Sequence, residues 1–159
     1  MGDLAAWLEA SLLARALRAG PWIYPLVNLA HLLGVALLLG AIAVLDLRLL
    51  GLWRGTPLAA LARATVPVAG AGLALALLTG PALLVVQARE YAANPFLWIK
   101  FGAVAAALAN LGALHRSEAW RGAVDDAEAR PPRRLAVAGA VSLAAWLAAV
   151  SAGRMIAYW

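Results

Sequence analysis

The 159-residue sequence contains no cysteine. That single absence excludes disulfides, thiolate nucleophiles and the cysteine-based zinc and iron–sulfur sites. Other metal-binding side chains are nearly as scarce: two histidines, His31 and His115, and two methionines, Met1 and Met155. A soft Cu(I) site is hard to assemble from that set. The sequence also has no metalloprotease histidine pair, no phosphate-cradling glycine loop and no nucleophile–base–acid motif. Charge is sparse, at 13% of residues, and the few acidic groups leave a net charge of +5. In a soluble protein that excess would suggest a nucleic-acid partner. Here the basic residues sit mostly in short connections, where they report membrane topology instead and no nucleic-acid partner is expected.

Apolar residues fill the space left by these absences. The chain is 65% hydrophobic, with mean hydropathy +0.84, a composition of integral membrane proteins. Four apolar segments, at about 25–45, 64–86, 95–114 and 135–158, can each cross about 30 Å of hydrocarbon as a helix rising 1.5 Å per residue. The expected fold is all-α, a four-helix transmembrane domain over residues 21–159. Pro25 suits a first helical turn, and Asn94-Pro95 reads as a cap followed by proline. The second segment holds Pro81, a kink signal, and a stripe of Gly72, Ala76 and Gly80 that lets another helix approach closely.

Residues 1–20 are expected to form an additional helix lying on the membrane surface, although Arg15 and Arg18 fall close to its Leu4 and Leu8 face. This segment does not read as a signal peptide, since Asp3 and Glu9 stand where a basic region belongs. The stretch HRSEAWRGAVDDAEARPPRR, with both signs of charge and a Pro-Pro end, is expected to be a solvated connector.

Orientation follows from the basic residues. Arg48, Arg54, Arg63 and the five arginines between Arg116 and Arg134 outnumber Arg15, Arg18, Arg89, Lys100 and Arg154 on the other side. The positive-inside rule then places both termini outside, in the periplasm of a bacterial inner membrane. Trp22, Tyr24, Tyr91, Trp98 and Trp159 would mark the outer interface.

Ionisable groups within a span are costly and need a partner or a purpose. From the Trp22–Tyr24 interface, His31 lies about 12 Å deep, Lys100 about 6 Å, and Arg154 about 6 Å from the outer end of the last helix. Three polar groups from three helices thus converge on the outer half. Asn28 shares a face with His31, and Ser151 and Tyr158 share one with Arg154; both faces are expected to point into the bundle. His115, about 28 Å from the outer edge, reads as a basic group at a helix C-terminus.

The residues NLAHLLGVALLLG, LLTG, Y…NPFLWIK and GRMIAYW, in this order over Pro21–Trp159, resemble the bacterial four-helix membrane families related to copper-resistance protein D and the HemJ-type protoporphyrinogen oxidases. The similarity is to an uncharacterised branch with that layout. The resemblance implies haem b binding, with the first-span histidine and third-span lysine falling on His31 and Lys100. The string DLRLLG lacks the Trp-Gly and Pro-Arg features of HemJ-type proteins, which counts against protoporphyrinogen oxidation. Three functions follow for testing. A haem b protein of membrane electron transfer or oxidation would use His31 as metal ligand, Lys100 or Met155 opposite it, Arg154 on the propionates, and Asn28 or Tyr158 holding the other imidazole nitrogen. A transporter of metal or small molecules would use the same residues as a polar pocket. A non-catalytic subunit would pack into a homo-oligomer or larger membrane complex through its small-residue faces.

Overall fold

The computed structural model describes residues 2–125 and 132–159. Among them every regular element is a helix, with no strand. Two short helices, α1 (Gly2–Glu9) and α2 (Leu12–Ala19), precede the first long one, α3 (Ile23–Leu49). A second long helix, α4 (Leu58–Leu84), runs on through a 3₁₀ turn into the short α5 (Ala88–Ala93). Then come α6 (Pro95–Arg116), α7 (Glu118–Asp125) and α8 (Arg133–Met155). Four helical stretches, Ile23–Leu49, Leu58–Ala93, Pro95–Arg116 and Arg133–Tyr158, are long and apolar enough to cross a membrane.

Each long helix ends for a local reason. Gly51, at φ 104°, closes α3. Its N–H reaches the Arg48 carbonyl at 3.1 Å, and the Leu52 N–H reaches the Leu47 carbonyl at 3.0 Å. This Schellman pattern satisfies carbonyls that the helix leaves over, and a residue with a side chain resists that φ. At the start of α6 the Asn94 side chain accepts from the Phe96 N–H at 3.0 Å, with Pro95 filling the first turn as expected. The Asn94 amide donates onward to the Ile156 carbonyl at 3.1 Å, joining the start of α6 to the end of α8. Pro67 and Pro81 both lie inside α4.

The four long helices pack as two intimate pairs, α3 with α4 and α6 with α8, joined mainly where α3 meets α8. The α3–α4 pair rests on the small-residue stripe. A β-carbon on Gly72 would stand 2.5 Å from the Leu38 backbone nitrogen and 2.6 Å from the Gly34 carbonyl, so the two backbones touch there. Lipid provides no hydrophobic drive between helices, and such close van der Waals approach is what holds them. A central layer of Leu38, Ile42, Ala107, Trp146 and Ala149 fills the middle of the bundle.

Two expectations are corrected at the ends. Residues 3–18 form two helices, not one, because Ser11 caps a new start, accepting from the Ala14 N–H at 3.2 Å. Arg18, awkward for a surface helix, instead donates to the Val86 carbonyl at 2.9 Å, while Glu9 pairs with Arg89 at 3.7 Å and accepts its backbone N–H at 2.8 Å. These bonds fasten α1 and α2 over the turn between α4 and α5, with Ala14 and Leu17 buried. The terminal end of the bundle, where residues 2–22 and 156–159 gather, is therefore capped. At the opposite loop end, the segment expected to be a solvated connector contains α7. Ala119, Trp120 and Ala123 on one face of α7 are buried against Leu49, Leu58 and Leu135, while its charged residues stay exposed. The remainder of that segment, 126–131, lies outside the described residues. Arg48, counted above among loop cations, belongs to the last turn of α3. It is buried and donates to the Thr56 carbonyl at 2.8 Å, pinning the α3–α4 loop.

Candidate functional site

His31 lies two turns into α3, on the side facing α4. Its position depends on Gly80: a β-carbon there would come within 3.3 Å of the His31 ring, so glycine is what lets the imidazole lie flat against α4. One residue earlier, Thr79 presents its hydroxyl oxygen 3.0 Å from His31 Nδ1. The direction of that bond is fixed by a second one. The Thr79 hydroxyl donates its only proton to the Leu75 carbonyl one turn back, at 2.6 Å. Toward His31 the Thr79 oxygen can therefore only accept, and Nδ1 carries the proton. A neutral imidazole with its proton on Nδ1 has a bare lone pair on Nε2, the form that ligates a metal.

Lys100, one turn into α6, is half-buried. Its stem lies along Gly153 of α8, where a β-carbon would stand 3.6 Å from both Cδ and Nζ. His31, Thr79, Gly80, Lys100 and Gly153 thus bring all four long helices to one level in the terminal half. α4 and α6 make no packing against one another comparable to the α3–α4 or α6–α8 pairs.

The remaining sequence candidates are placed differently. Asn28, Ser151, Arg154 and Tyr158 are all exposed, which corrects the expectation that their faces turn inward. The reason is depth: near a helix end a polar side chain reaches the interface without turning into the bundle. Arg154 donates to the Tyr158 hydroxyl and lies over its ring, 4.6 Å from the centroid. The bond to the imidazole expected of Asn28 or Tyr158 is made by Thr79 instead. Met155, two residues beyond Gly153, is 42% exposed. His115 sits in the last turn of α6, as expected, with Nδ1 3.0 Å from the Leu111 carbonyl and its ring 5.1 Å from that of Trp120.

Two polar residues escape the sequence reading. Thr79 carries no signal by itself, because spacing along one helix says nothing about which residue waits across the interface. Asp46 does carry one: a lone carboxylate within a long apolar span. It is only 3% exposed, and it belongs to the loop half, far from His31 along the same helix. No cluster of three or more His, Cys, Asp or Glu side chains able to hold a metal ion occurs among the described residues. Comparison of the chain with protein-family models, curated proteins and solved structures gives no match.

Proposed function

We propose that the His31 level binds haem b and that the protein serves membrane electron transfer or oxidation. One observation carries this reading: the Leu75–Thr79–His31 chain of hydrogen bonds, which orients the imidazole and leaves Nε2 bare. A porphyrin supplies its own equatorial nitrogens, so a lone histidine suffices to anchor it, whereas a bare metal ion needs a cluster of protein ligands. His31 would hold the iron, Lys100 would act as the nitrogen donor or cation facing it from α6, and Arg154 at the rim would meet the propionates. The bound group would supply one-electron chemistry. The chain's own part is to orient the imidazole through Thr79, to seat it and Lys100 against Gly80 and Gly153, and to keep water out with the Leu38–Trp146 layer beneath. On this reading the terminal end faces the periplasm and the arginine-rich loop end the cytoplasm of a bacterial inner membrane.

The test is an absorption spectrum of detergent-purified protein, with and without dithionite, beside His31→Ala. A Soret band with reduced α and β bands, lost or shifted in the variant, supports the reading. Protein that stays colourless when haem is supplied, with His31→Ala folding equally well, overturns it. A second reading, a packing subunit in a larger assembly, is favoured by a shallow groove between α3 and α4, where Ala36, Gly40 and Ala64 form a floor flanked by Leu37, Val44 and Val68. Its small side chains suit close approach of a further helix. Cross-linking in membranes from Gly40→Cys would reveal such a neighbour.

A further inference from the structure

Asp46 presents a second polar site, independent of the first. Its carboxyl is buried between α3 and α8, and Oδ2 has no hydrogen-bond partner. Gly139 makes the close approach possible: a β-carbon there would lie 3.1 Å from the Asp46 carbonyl oxygen and 3.0 Å from Leu49 Cβ. One turn further along α8 stands Ser142, a hydroxyl that is itself buried.

Among the described residues, no cation is paired with this group. Arg48, on the same helix, spends its guanidinium on the Thr56 and Arg54 carbonyls. On α8 the stretch from Leu135 to Gly153 has no charged residue, and Arg133 and Arg134 at its start are exposed. Arg63 on α4, His115 and Arg116 on α6, and Glu118, Arg121 and Asp125 on α7 are exposed as well. The ion pair found among the described residues is Arg89–Glu9, at the other end.

A buried carboxylate oxygen with no partner calls for a ligand. One carboxyl and one hydroxyl are too few oxygens for a calcium, magnesium or comparable ion, which demands six or more. A proton needs only one. We propose that Asp46, with Ser142, is an embedded proton-binding site that exchanges with the aqueous phase at the loop end, one turn away past Leu49. The Asp46 carboxylate takes a proton from water there and returns it by the reverse step. The Leu38, Ile42 and Trp146 layer separates this site from the His31 level.

Infrared difference spectroscopy of the reconstituted protein, stepped in pH, reads the proton directly. The expected result is a carboxylic C=O stretch that grows as pH falls and bleaches as it rises. It should shift in heavy water and with [4-¹³C]aspartate, be lost in Asp46→Asn, and move to higher frequency in Ser142→Ala. The isotope label needs no mutation, so a misfolded variant does not spoil the test. A pH-dependent carboxyl spectrum that is unchanged in folded Asp46→Asn, or that does not respond to labelled aspartate, overturns the proposal. So does an aspartic band that persists unaltered across the whole pH range, which would make Asp46 a fixed hydrogen-bonding group.

Discussion

Gly72 of α4 and Gly34 of α3 meet backbone to backbone: a β-carbon on Gly34 would lie 2.9 Å from both the Gly72 carbonyl oxygen and the Ala76 nitrogen. The contact fixes the separation of the first two spans, and with it the distance between His31 and its acceptor, Thr79. Both neighbours are backbone, which cannot turn aside as a side chain can.

Gly72→Ala is therefore expected to force α3 and α4 apart and to destabilise the protein by about 1–3 kcal/mol, the usual result of overpacking. Gly70→Ala is the control, because nothing lies within 4 Å of its β-carbon position. It should be neutral, or stabilising by up to about 1 kcal/mol through helix propensity. Reversible unfolding in mixed micelles compares the two. Equal stabilities would refute the assignment of Gly72 as the contact.

How much of this was readable beforehand depended on whether the signal lies along one helix or between two. The spans, the Asn94-Pro95 start and the Gly72–Ala76–Gly80 stripe are properties of single helices, and the structure places all three as their residues suggest. Gly72 and Ala76 meet Gly34, and Gly80 meets His31. The partner of His31 depends on the register of α4 against α3, which no spacing within either helix encodes. Asp46 was legible in principle, since a carboxylate in an apolar run is costly unless it is used. The short helix α7 was hidden by its composition: its charges form one face, and Ala119, Trp120 and Ala123 form another that is brief enough to pass for connector.

Thr79 offers a graded test of the site. Thr79→Ser keeps the hydroxyl that accepts from His31 Nδ1, while Thr79→Val keeps the shape and removes it. If His31 holds a metal centre, Thr79→Val should weaken its retention by about 10–100-fold, the usual effect of losing the group that orients a ligating histidine. Thr79→Ser should stay close to the parent protein. Spectral titration with haem measures both, and indistinguishable affinities would separate Thr79 from any binding role.

Asn94 joins two tasks in one side chain, capping α6 and holding the Ile156 carbonyl, at 4% exposure. Asn94→Ala loses the cap, worth about 1 kcal/mol, and leaves a part-buried carbonyl without its donor, worth about 1 kcal/mol more. Asn94→Asp keeps the cap and loses only the second bond. Hydrogen exchange should show faster exchange at Phe96 in the alanine variant but not in the aspartate variant, whereas both should loosen the Ile156–Tyr158 turn. Unchanged exchange at Phe96 in Asn94→Ala would mean that Pro95 alone sets the start of α6.

The absence of cysteine turns α7 into a clean labelling experiment. Ala123 is 3% exposed against the Leu49, Leu58 and Leu135 cluster, while its neighbour Gly122 is exposed with open space at its β-carbon position. Cysteine placed at 122 should react freely with a water-soluble maleimide. At 123 it reacts only when α7 lifts from the bundle, and each 1.4 kcal/mol of opening free energy slows labelling by about tenfold. Trp120→Ala empties the centre of the same face, a loss of about 3–5 kcal/mol where the site cannot collapse, and should bring the two labelling rates together. If positions 122 and 123 react equally fast in the protein with Trp120 intact, α7 does not pack against the bundle in solution. The loop end would then be open, and Leu49, Leu58 and Leu135 would lose the cover that Ala119, Trp120 and Ala123 give them.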